Sequence, residues 1–230
     1  SPALDVPGPT LETVHRQAAD NPILELATNI RTGAEGRFGS TFENGKGVAV
    51  TRNRDEFLDS ILRAFDAEAF AEYATHARVL AYRNKTVRRY NREIRAKRYG
   101  ADADRFAEGE WLVGTETWFH DGVQRLTNSE EVRVKKVAVD TFEADNQSEW
   151  RVWELKVCTP GRGRTRTIQV LHEDEFERYE NALDRRREKA QDDPAKWDRF
   201  FELREQFARV DYAYATTVHR AQGSTYDTVF

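Results

Sequence analysis

The hydrophobic period of this chain changes twice, and that change limits its fold more than any single residue does. Before Gly109 the apolar residues recur at helical spacing; in "RDEFLDSILRAFDAEAFAEYA" they fall at 57, 58, 61, 62 and 65. After it, "EWLVGTETWF", "EEVRVKKVAVDTF", "SEWRVWELKVCT" and "TRTIQVLH" alternate apolar and polar residues with turn residues between them, the pattern of half-buried strands. From residue 173 the helical period returns, in "EDEFERYENALDRRREKAQ" and "PAKWDRFFELREQFARV", which form a helical hairpin across "DDP". Short strands packed so densely in the sequence predict a small antiparallel barrel or sandwich.

The flanks read differently. "TLETVHRQAADNPILELATNIRTG" predicts a helix, a break at Asn21-Pro22 and a second helix that stops at Gly33. "GRFGSTFENGKG" reads as a glycine-rich loop and "GVAVT" as a short strand. "ARVLAYRN" predicts a strand, and "KTVRRYNREIRAKRYG" a helix with the apolar stripe Val87, Tyr90 and Ile94. The chain ends on "DYAYATTVHRAQGSTYDTVF": a strand from Tyr212 to Val218, a polar turn, and the opening of another strand. α/β material thus lies at both ends, with an all-β segment and a hairpin between them. The economical organisation is an insertion into one parallel-sheet domain: 1–108 with 209–230 as the parent, 109–172 as the inserted barrel, 173–208 as the helical hairpin. A buried strand such as "DTVF" needs partners and an onward connection, so the expectation is a piece that stops inside its own sheet.

Composition excludes some classes. Charged residues make up 33% of the chain, no apolar run approaches the ~20 residues of a transmembrane helix, and no secretory signal opens it, so no membrane partner is expected. One cysteine, Cys158, leaves no internal disulfide framework and suits a reducing cytoplasm. The net charge of −4 argues against nucleic-acid binding through overall charge. Locally the balance reverses: residues 83–98 hold eight Lys or Arg against one Glu, and "GRGRTR" (161–166) adds a second basic cluster. Charge runs are usually solvated faces, so only the strand-proximal end of the basic helix is a functional candidate. Trp111, Trp118, Trp150 and Trp153 have the chemistry to stack on bases, but their place in alternating strands assigns most of them to a core. The histidines are scattered without metal-ligand spacing.

The terminal turn carries the most chemistry. In an open parallel sheet, ligands lie beyond the carboxyl ends of the strands. Thr217 and His219 can donate there to phosphate oxygens, and Gly223 allows close approach of the backbone to an anion. On residue types alone an ordinary strand-to-helix turn is the better account. The order of the residues is more specific. "AYATTVHRAQGSTYDTVF" resembles motif V of superfamily 1 helicases, and Thr225 after the Gln-Gly pair, where the UvrD and RecD groups have Glu, looks most like the Dda group. "LETVHRQAADNPILELATNIR" resembles motif IV, through Arg16 and Gln17, and "RVLAYRNKTVRRYNREIR" resembles the block that follows it, with Asn84 and Asn91. The resemblance covers nearly the whole chain.

It implies a RecA-like second motor lobe carrying motifs IV to V, with an inserted small barrel of the Src-homology type and a helical hairpin. The chain has no G-x-x-x-x-G-K-[ST] phosphate loop, so the resemblance implies that ATP and Mg²⁺ are shared with a missing N-terminal lobe of the same protein. Arg16 is then the charge-stabilising arginine of hydrolysis, since a planar, permanent cation suits a transferring phosphoryl group. Gln17, Gln222 and Gly223 would join it at the nucleotide. Single-stranded DNA would cross the lobe at Asn84, Lys85, Thr217 and His219, and movement would run 5′→3′. The isolated chain is expected to hydrolyse no ATP. Two other readings use the same residues: a non-enzymatic nucleic-acid-binding module, and an interaction domain that docks a partner on the charged hairpin 173–208.

Overall fold

The computed structural model describes residues 22–33, 39–43, 46–144, 148–159, 161, 163 and 165–230. The chain divides into two compact units, 1–58 and 59–230. In the first, helix α1 (Pro22–Arg31) lies against a hairpin of β1 (Thr41–Glu43) and β2 (Lys46–Val48). Gly33 follows α1 with φ +69, the left-handed stop expected of it. The hairpin corrects the loop reading of 36–47. Its signal was Asn44-Gly45, the strongest short hairpin dipeptide. Gly47 is obligatory, because a Cβ there would meet the Thr41 carbonyl oxygen at 2.1 Å. Helix α2 (Arg54–Asp66) leads into the second unit. The helix expected to run on through residue 74 instead breaks at Ala67, which is extended, before the short α3 (Glu68–Glu72).

The second unit contains two sheets. The parallel one has the order β11-β3-β12, with β3 (Ala77–Ala81) central, β11 (Ala215–Thr217) on one side and β12 (Thr228–Val229) on the other. Helix α4 (Asn84–Tyr99) follows β3 after a two-residue turn, Tyr82-Arg83. Its buried stripe is Val87, Asn91, Ile94 and Arg95; Tyr90 is only half-buried, so the expected apolar stripe is in part a polar one.

The antiparallel sheet has the order β10-β4-β7-β8-β9, from β4 (Trp111–Gly114), β7 (Glu131–Ala144), β8 (Ser148–Cys158), β9 (Thr165–Leu171) and β10 (Val210–Tyr212). A separate ribbon, β5 (Trp118–His120) with β6 (Val123–Leu126), stands between β4 and β7 in sequence and was not resolved into two strands by periodicity. One backbone bond, from Ala208 N–H to the Gln169 carbonyl at 2.8 Å, links the segment entering β10 to β9 at the opposite edge. Strand β8 buries one face near its start and the other toward its end. Trp153, Leu155 and Val157 join Leu112, Trp118, Leu126, Val132, Val134 and Ile168 in one core. Trp150 and Val152 face α5 (Phe176–Asp192) and α6 (Trp197–Arg204), with Tyr179, Leu183, Phe200 and Leu203. The four tryptophans Trp111, Trp118, Trp150 and Trp153, most of which are expected in a core, are all buried.

The apolar run at 210–218 serves both sheets. Ala213 N–H still bonds the Trp111 carbonyl at 3.0 Å, while the Tyr214 carbonyl already accepts Val79 N–H at 2.9 Å. The strand expected from Tyr212 to Val218 is thus two strands with a change of sheet between them, and Val218 opens the four-residue helix α7 (Val218–Ala221).

Candidate functional site

The carboxyl ends of β3 and β11 lie side by side, because Thr217 pairs with Ala81 at the last register position. Each strand is followed at once by a turn into a helix, so both turns open on the same edge. Asn84 starts α4, and the Thr86 and Val87 amides of its first turn both donate to the Arg83 carbonyl, at 2.9 and 3.1 Å. Thr217 caps α7, its Oγ1 accepting Arg220 N–H at 3.3 Å. The result is a groove of about 640 Å³ lined by Tyr82, Asn84, Arg88, Thr217, His219 and Arg220 along its rim, with Val87, Ala215 and Asp211 deeper. Three of the residues picked from the sequence, Asn84, Thr217 and His219, line this one groove although they come from distant segments. Lys85 is exposed on the next position of α4 and is not part of the lining. Gln222 and Gly223 are exposed in the turn after α7, also outside it; Gly223 has φ +88, a conformation that only glycine adopts without strain. Arg16 and Gln17 lie outside the described residues.

Among the lining groups that sequence reasoning did not pick are Tyr82, Arg88 and Arg220. Tyr82 is 89% exposed, a large aromatic ring with its face open to solvent at the mouth of the groove. Its signal was present, since an aromatic residue directly after a buried strand and before a helix N-terminus stands on the ligand edge. Arg220 reaches out of the motif, with Nη2 at 3.4 Å from both the Thr115 carbonyl and Asn128 Oδ1, so it bridges the turn to the segment between β4 and β7.

Behind the rim the groove is braced by buried polar groups. Asn91, 1% exposed, accepts Ala215 N–H on Oδ1 at 2.8 Å and donates from Nδ2 to Asp211 Oδ1 at 3.3 Å. It holds α4 against the strands on both sides of the sheet change and is an internal brace, not a ligand. Below it, Glu110 accepts from Arg95 Nε at 3.0 Å, from the Tyr214 hydroxyl at 2.9 Å and from Ala107 N–H at 3.1 Å. Burial pushes the Glu110 carboxyl above its ordinary value against the pull of Arg95, and burial with the adjacent Glu110 pushes Tyr214 up. Arg78, fully buried on β3, donates to the Ala213 carbonyl and to Glu131 of β7, with its guanidinium 5.0 Å from the Tyr226 ring. A charge so buried is tolerated only when paired and hydrogen-bonded.

The arrangement suits an anionic, extended ligand. It offers hydroxyl, amide, imidazole and guanidinium donors along an open edge, a helix N-terminus beneath them, and one exposed aromatic face. Among the described residues no cluster of His, Cys, Asp or Glu could hold a metal ion, and no helix is long and apolar enough to cross a membrane.

Comparison with known proteins agrees with the resemblance read from the motifs. The chain is 25% identical over 239 aligned positions to the ATP-dependent DNA helicase dda of Enterobacteria phage T4, an alignment that takes in 95% of this chain and 54% of the phage protein. The chain therefore spans about half the length of that relative. No protein-family model matches it.

Proposed function

We propose that this chain is the second motor lobe of an ATP-dependent DNA helicase of superfamily 1, RecA-like in its parallel sheet, and that the β3/β11 groove grips single-stranded DNA. The observation that carries this reading is the convergence of Asn84, Thr217 and His219 on one edge. Contacts of that kind go to phosphates and hold a strand whatever its sequence, as a translocating motor requires. Tyr82 adds a stacking platform, which single-strand sites combine with basic grooves.

In this reading ATP binds between this lobe and a second one that supplies the phosphate loop and the Mg²⁺ site. Arg16 is the arginine that stabilises the transferring phosphoryl group, and Gln17, Gln222 and Gly223 line the nucleotide side. The antiparallel segment 109–172 is the inserted barrel and 173–208 its helical hairpin. Movement 5′→3′ follows from the likeness to the Dda group, and this segment alone hydrolyses no ATP.

The test is the double variant Thr217→Ala/His219→Ala in the intact protein. Loss of two charge-assisted hydrogen bonds, at ~1.5–3 kcal/mol each, weakens single-strand affinity at least tenfold and lowers DNA-stimulated ATP hydrolysis with it. Anisotropy with a labelled oligonucleotide and a coupled ATPase assay read the two effects. Unchanged affinity would falsify the groove assignment. An intact wild-type protein that binds DNA yet never hydrolyses ATP would instead establish the non-enzymatic binding module.

A further inference from the structure

Strand β7 carries two consecutive lysines, Lys135 and Lys136, and both are exposed. A regular strand cannot do this above a packed core, since successive side chains point to opposite faces. Here the register slips between Val134 and Lys136, so the ladder runs Val134↔Val157 and then Lys136↔Lys156. The bulge leaves Lys135 as the extra residue and turns both lysines outward, while Val134 and Val137 on either side still pack on the core. Bulges re-aim side chains in this way at sites of function.

The pairing that results is unfavourable in isolation. Lys136 and Lys156 stand directly opposite each other on neighbouring strands, where like charges are destabilising. Lys156 is exposed as well, and none of the three lysines makes an ion pair with a described acid. The nearest acid on that ladder, Glu154, is half-buried opposite Ala138. Two other cations of the sheet behave differently: Arg166 pairs with Glu130 at 2.7 Å, and Arg151 bonds Asp174.

We propose that Lys135, Lys136 and Lys156 form a phosphate-binding face on the inserted sheet that holds the backbone of duplex nucleic acid, on strands that do not line the β3/β11 groove. The inference rests on the reading that the protein works on nucleic acid. Charge complementarity commits the face to a polyanion. Its composition separates it from the groove: lysines are compact point charges suited to phosphates, and no exposed aromatic lies beside them on the ladder to stack on an unpaired base, as Tyr82 does at the groove.

The test uses the intact protein with a blunt duplex and a single strand of matching length, titrated at several salt concentrations. The variant Lys135→Ala/Lys136→Ala/Lys156→Ala is expected to lose duplex affinity about tenfold or more and to flatten the log-affinity against log-salt slope by about 2 to 3, at ~0.9 per phosphate contact. Its single-strand affinity stays at the wild-type value. A control with the same charge change elsewhere, Arg185→Ala/Lys189→Ala/Lys196→Ala on the helical hairpin, keeps wild-type duplex binding. Unchanged duplex affinity and slope in the β-sheet variant overturn the proposal and point to an acidic polypeptide as the occupant. Equal losses in both triple variants, or equal loss on duplex and single strand, also overturn it. A wild-type protein that binds neither nucleic acid removes the functional reading itself, a different result from either.

Discussion

The two sheets of residues 59–230 differ in how much buried hydrogen bonding their interiors carry. The antiparallel sheet encloses two apolar cores, and its large interior groups are Trp150, Trp153, Leu155, Leu112 and Ile168. The parallel sheet has three short strands, and around them an apolar group, Phe65, Phe70, Val79 and Ile94, is joined by buried polar side chains, Arg78, Asn91, Arg95 and Glu110. The difference teaches where stability and recognition are placed. Apolar burial is non-directional and tolerates small shifts, so it suits a body that must only stay folded. Buried hydrogen bonds fix position and direction, so they suit the edge where Asn84, Thr217 and His219 must meet one ligand.

The sharpest break of this contrast is in the apolar body. Leu155→Ala removes a side chain with no exposed surface from the middle of β8 and should cost about 2–5 kcal/mol in urea denaturation, while single-strand affinity below the melting range stays unchanged. Parallel loss of affinity would show that the two regions do not divide the work. Next in size is Asn91→Ala, which leaves Ala215 N–H buried without its acceptor and should cost about 1–3 kcal/mol. Unlike Leu155→Ala, it should also weaken single-strand binding, because β11 loses the brace that places Thr217. A stability loss with wild-type affinity would make Asn91 a plain packing residue.

The smallest effect is one of pH. Burial raises the Glu110 carboxyl above its ordinary value of 4.5. The folded chain then holds that proton to higher pH than the unfolded chain does, so the stability linked to it is complete below the unfolded value and is lost as pH rises through the folded one. In Glu110→Gln that slope is absent. Denaturation from pH 4 upward should therefore show the wild type losing stability relative to the variant as pH increases; a constant or reversed difference would mean the Arg95 ion pair outweighs burial.

Much of this was legible in the sequence, for local reasons. The switch from helical to alternating period located the antiparallel segment, and Gly33 and Pro22 bracketed α1, because those signals depend on neighbours a few residues apart. The groove was half legible. Motif resemblance picked out Asn84, Thr217 and His219, but Tyr82 read as one more strand aromatic until its exposure was known. Arg95 belongs to the basic run that reads in part as a solvated face, and Asn91 enters only as a member of the block after motif IV; both are interior braces. Arg16 and Gln17 lie outside the described residues.

Two features mark the boundary. The sequence by itself determined which stretches alternate, which carry charge, and which residue types gather at the terminal turn, since these follow from composition and spacing along one chain. Only the tertiary structure decided that the run from Val210 to Thr217 is shared between two sheets, and that Lys135 and Lys136 can both face water. Those outcomes depend on which strand lies alongside and in what register, and register is fixed by partners far away in the chain.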